Sequence, residues 1–74
     1  MGKLNILGSK GHTEVAWSKS DQISLDEASR RFDELVRDGF LTYKTDPTTN
    51  ESEIIRRFDP AAAVITALRP IQGG

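Results

Sequence analysis

The chain has 74 residues, enough for one domain and no more. Ten Lys and Arg against eleven Asp and Glu leave a net charge of −1, so the basic excess that drives much nucleic-acid binding is missing. Cysteine is absent, which excludes disulfides and thiolate metal sites, and the single histidine, His12, has no partner at ligand spacing. No apolar run approaches the roughly 20 residues of a membrane span, and the first residues lack the charged-then-apolar pattern of a secretory signal. The expectation is a monomeric cytoplasmic protein with no metal, no cofactor, and neither nucleic acid nor membrane as partner.

Leu4-Asn5-Ile6-Leu7 and Thr13-Glu14-Val15-Ala16-Trp17 alternate as strands, with Thr13, Val15 and Trp17 on one face. Gly8-Ser9-Lys10-Gly11 between them is turn chemistry, so the two predict a hairpin with His12 at the edge of its turn.

Ser24-Leu25-Asp26-Glu27 reads as a capping box, in which the Ser24 hydroxyl accepts from the Glu27 amide and the Glu27 carboxylate reaches back to the Ser24 amide. Leu25, Ala28, Phe32, Leu35 and Val36 then trace one stripe at helical period, and Gly39 supplies a left-handed stop. Asp26–Arg30, Glu27–Arg31 and Asp33–Arg37 are spaced as favourable ion pairs on the outer face.

Phe40 to Thr45 and Glu53 to Phe58 read as a second hairpin across Asp46-Pro47-Thr48-Thr49-Asn50. As strand residues, Arg56 and Arg57 would point to opposite faces. The segment after Asp59 admits two readings. Ala61, Val64, Ile65 and Leu68 would line a helical face, but β-branched Val64-Ile65-Thr66 and the closing Pro70 favour a turn over 60–63 and a strand from Val64 to Arg69.

The order β-β-α-β-β-β predicts one α+β domain over residues 1–74, its helix packed on one sheet face, with 70–74 a flexible C-terminal tail. Trp17, Phe32, Leu35, Val15, Leu41, Ile54 and Val64 are the expected core. No catalytic residue is nominated: there is no Ser-His-Asp set, no glycine-rich phosphate loop and no carboxylate pair off the helix face. The feature with chemical meaning is Gly73-Gly74. Without Cβ atoms, a terminal Gly-Gly passes through narrow channels and leaves its carboxylate open to activation and attack. Leu68, Arg69, Pro70, Ile71 and Gln72 form its neck.

A β-hairpin, one helix, further strands and the ending Ala67-Leu68-Arg69-Pro70-Ile71-Gln72-Gly73-Gly74 resemble the ubiquitin-like β-grasp family of protein modifiers and sulfur carriers. The resemblance implies a non-enzymatic protein whose Gly74 carboxylate is adenylated by an activating enzyme. It then passes to a thioester or a lysine of a protein target, or becomes a thiocarboxylate. Lys3, Lys10, Lys19 and Lys44 would be the acceptors if modifier chains form. An alternative is a small accessory protein that binds a partner through a sheet edge. A third reading rests on Ala28 to Leu41, where a helix with Phe32, Leu35, Gly39 and Phe40 runs into a hairpin. That stretch is similar to the recognition helix and wing of winged-helix DNA-binding proteins, but acids Asp26, Glu27, Asp33, Glu34 and Asp38 would face phosphate.

Overall fold

A computed structural model describes residues 2–8 and 11–69. In chain order the elements are β1 (Gly2–Gly8), β2 (Gly11–Trp17), α1 (Gln22–Arg37), β3 (Leu41–Thr45), β4 (Ser52–Ile54) and β5 (Val64–Leu68). The strands make one mixed sheet in the order β2-β1-β5-β3-β4. Neighbours pair antiparallel except β1 and β5, which run parallel at its centre. This is a small α+β fold, and the segment after Asp59 takes the turn-then-strand form, its strand ending at Leu68 rather than Arg69.

The helix begins one turn before the capping box. Asp21 sits in extended conformation, and its carboxylate accepts from the amides of Ile23 and Ser24. Asp21 is as strong a cap as serine, and a bridge between Ser18 and Asp21 fixes it at the end of the β2 turn. The Ser24 hydroxyl instead accepts from the Ser18 amide and donates to the Asp21 carbonyl, tying the turn to the first helical residues. Ile23 is left 79% exposed, an apolar residue in the first turn that has no place on the stripe.

The stripe itself is as predicted. Ala28, Phe32 and Leu35 are buried, and Leu25 and Val36 pack against them. At the far end Gly39 has φ 88°; its amide bonds the Val36 carbonyl, and the Phe40 amide bonds that of Leu35. This double closure satisfies carbonyls the helix leaves open, and it needs the left-handed residue that glycine supplies at least cost. The acid–base pairs of the outer face do not close: among the described residues the only ion pairs within 4.0 Å are Lys3–Glu14 and Lys44–Asp59.

The helix covers the face that carries Leu4, Ile6, Trp17, Ile65 and Ala67, all buried. Strand parity corrects the expected core. Ile65 and Ala67 point inward, so Val64 is only half-buried, and on β3 the inward residue is Thr42, which leaves Leu41 45% exposed. Ile54 is 65% exposed for the same reason, and Val15 is half-buried against the cluster. A one-residue change in which side chain leads a strand moves its whole apolar set to the other face.

The predicted fourth strand, Glu53 to Phe58, is replaced by three residues, Ser52–Ile54. The Thr42 hydroxyl takes the Ile55 carbonyl, and the chain then turns so that Phe58 enters the core. Its ring meets Trp17 edge-on at 4.9 Å and Phe32 at 5.9 Å between centroids. Trp17 is 2% exposed and gives its indole N–H to the Pro60 carbonyl at 3.2 Å. Gly2 lies against that ring: a Cβ there would fall on Trp17 Cζ2 and Cε2, so this site demands glycine for space.

The two helix starts make different predictions. Asp21→Ala is expected to lower stability by about 1 kcal/mol, whereas Glu27→Ala, which removes no cap bond, should stay within about 0.5 kcal/mol. Urea midpoints of the two variants decide it; a larger loss for Glu27→Ala would restore the capping box.

Candidate functional site

The expected reactive end, Gly73 and Gly74, lies outside the described residues, as do Pro70, Ile71 and Gln72. What the structure places is the base of the neck. β5 is hydrogen-bonded on both sides, to β1 and to β3, and ends at Leu68; the exposed Arg69 makes one more bond, from its amide to the Leu7 carbonyl at 3.2 Å. The C-terminal segment therefore starts from the middle of the sheet, where the strand is held on both flanks.

The face opposite the helix carries an apolar shelf at that same end. Leu7 is in register with Leu68, and Leu68 with Leu41, so three leucines lie side by side across β1, β5 and β3. Leu7 is 38% exposed, Leu41 more so, and Leu68 is half-buried. One row further in, Asn5, Thr66, Tyr43 and Ile54 follow in register. Asn5 Oδ1 is buried there with no hydrogen-bond partner among the described residues. Leu41 and Ile54, core residues by their sequence pattern, stand on this open face. Their apolar character was legible, but which face they take is set by pairing across the sheet.

A concavity of about 680 Å³ opens between the β3–β4 connection and the turn at 59–63. Lys44, Asp46, Glu51, Glu53 and Asp59 line it. Its cation is already engaged: Lys44 Nζ donates to Asp59 Oδ2 at 2.8 Å, while Asp59 Oδ1 accepts from the Ala61 amide. The hydrogen bond from Lys44, then that from Ala61, hold the Asp59 carboxyl below its ordinary value. The same bond, reinforced by the charge of Asp59, raises the Lys44 ammonium above its own. Among the described residues no His, Asp and Glu group is disposed as metal ligands.

The remaining sequence candidates are scattered. His12 is not at a turn edge but within β2, exposed and paired with Leu7. Arg56 and Arg57 lie in a bend after β4, both exposed, rather than on opposite faces of a strand. Of the lysines, Lys3 stands 4.0 Å from Glu14, Lys19 is exposed in the turn before α1, Lys44 is ion-paired, and Lys10 lies outside the described residues. No helix among the described residues is long and apolar enough to cross a membrane. No family model matches the chain, and no curated protein or solved structure is significantly similar to it.

The Lys44–Asp59 pair gives a pH prediction. A carboxyl lowered on folding contributes stability above its unfolded pKa and loses it as pH falls through the folded one; a raised ammonium contributes below its unfolded pKa and loses it as pH rises through the folded one. The contribution is thus full between the two and fades at both extremes. Asp59→Asn, which keeps an acceptor for Ala61, is expected to flatten the acid limb of the stability–pH profile below about pH 4. Urea midpoints from pH 3 to 7 measure this; an unchanged acid limb would mean that solvent screens the pair out.

Proposed function

We propose that this chain is a β-grasp protein of the ubiquitin-like kind, a modifier or sulfur carrier whose Gly74 carboxylate is activated by an adenylating enzyme. The observation that carries the reading is the origin of the Gly-Gly segment, five residues beyond the described end of a strand clamped at the centre of the sheet. The order β2-β1-β5-β3-β4, with β1 and β5 parallel and one helix across one face, supports the β-grasp assignment.

The chemistry belongs to the terminal carboxylate. It attacks the α-phosphate of ATP and displaces pyrophosphate. The resulting acyl-adenylate is then attacked by a thiol or a sulfur donor, releasing AMP. Glycine at both positions keeps the backbone slim enough to reach a partner's active site. The chain is the substrate in this scheme and supplies no catalytic side chain. Its fold supplies a rigid base for the tail and, beside it, the Leu7–Leu68–Leu41 shelf as a surface the activating enzyme can grip. Protein targets, or a cofactor-synthesis partner that accepts sulfur, are the further partners of this reading. It is preferred over DNA binding because α1 spends its apolar stripe on the sheet and turns Asp26, Glu27, Asp33 and Glu34 outward.

Deletion of Gly73 and Gly74 is expected to leave the urea midpoint unchanged, since chain ends contribute few contacts. It should abolish every ATP-dependent adduct seen by intact mass after incubation with cell extract. Gly74→Ala should strongly impair adduct formation with the same fold. Adducts that survive deletion, or none with the native chain, would overturn the proposal. A stability loss above about 1 kcal/mol would assign the tail to the fold instead.

A further inference from the structure

Among the described residues the outer edge of β2 pairs with no other strand. On β1, the Lys3 amide donates to the Ala63 carbonyl, and the Leu7 carbonyl accepts from the Arg69 amide. Odd-numbered residues of β1 therefore direct their main-chain groups toward β5, and Leu4 and Ile6 direct theirs toward Val15 and Thr13 of β2. It follows that His12, Glu14 and Ala16 aim their amides and carbonyls outward, and all three are exposed. The edge runs seven residues without proline or lysine, and its single charge is Glu14, so it is blunted less than a short, charged edge. The opposite edge strand, β4, has three residues, one of them Glu53, and follows Glu51. Shortness and charge protect it.

We propose that β2 pairs antiparallel with β2 of a second copy of this chain, centred on Thr13. The outward groups allow registers that pair His12, Glu14 and Ala16 among themselves. With Thr13 opposite Thr13, His12 of each copy lies directly opposite Glu14 of the other, and each pair exchanges both of its main-chain hydrogen bonds. Of the neighbouring permitted registers, one sets Glu14 against Glu14, and like charges directly opposed are unfavourable; the other sets His12 against His12 and loses both His12–Glu14 pairs. The helix side of this edge is also self-complementary. A groove between β2 and α1 is lined by Val15 with Glu27, Glu34, Arg30 and Arg31. Two acids and two bases on each side of a two-fold axis allow acid to meet base across it.

This proposal makes no use of the tail, so its failure and that of the modifier reading are separable. Sedimentation of the full chain over a concentration series is expected to show a reversible rise toward twice the chain mass. His12→Glu should weaken association about tenfold by opposing glutamates on both sides of the axis. The double variant His12→Glu with Glu14→Lys should restore it, because each pair then sets a carboxylate against an ammonium. In the native chain, exchange of the His12 and Glu14 amides should slow as concentration rises, a reading that requires no variant. A chain that stays monomeric to about 1 mM overturns the proposal. So does a dimer indifferent to both charge variants, or one whose new amide protection falls away from β2.

Discussion

The fold depends on the parallel pairing of β1 with β5. This contact joins the first strand of the chain to the last and sets Leu4 beside Ile65 and Ile6 beside Ala67, all of them buried under α1. β2 hangs on one side of that pair, and β3 with β4 on the other. Until the pairing closes, the β1–β2 hairpin and the β3–β4 hairpin are separate two-stranded units, which are marginal alone in water. Closing it brings together residues more than half the chain apart, so the loop entropy falls due before most of the burial is gained. The fold is therefore expected to form as a single cooperative unit, with no smaller stable part.

The elements were legible where the local signal is strong. The helix stripe from Leu25 to Val36, the stop at Gly39 and the turn before β5 all follow from spacing, glycine freedom and β-branching, and all are present. The helix start is ambiguous in the sequence because two good caps lie three residues apart. Ser24 satisfies the capping pattern in the sequence, yet Asp21 takes the role because its own amide is already bonded to Ser18. The misplaced core residues share another cause. Leu41, Ile54 and Val64 are apolar residues in strands whose alternation is balanced. Their inward faces are chosen by Thr42, whose hydroxyl is satisfied by Ile55, and by the fit of Ile65 and Ala67 under α1. Nothing local in the sequence carries that choice. Phe58 is the extreme case: it reads as the end of a strand and serves instead as the ring that Trp17 and Phe32 close upon.

The same parity decides where the functional surfaces fall. If Leu41 had faced α1, the shelf beside the end of β5 would be broken, and the C-terminal segment would leave a polar sheet. Because Leu7, Leu68 and Leu41 share one row on the open face, the chain places an apolar surface at the base of its own neck. Gly-Gly chemistry could be guessed from two letters, but the shelf that would accompany it could not.

The edge and the shelf are compatible in space, and register explains why. His12 of β2 is paired with Leu7, which is paired with Leu68, so the edge shares a row with the shelf and lies one strand from its Leu7. Antiparallel pairing centred on Thr13 extends the sheet within its own plane and leaves both open faces uncovered on the same side. The shelf of the second copy is then displaced by two residues along the strands, roughly 7 Å, and its β5 runs in the opposite direction.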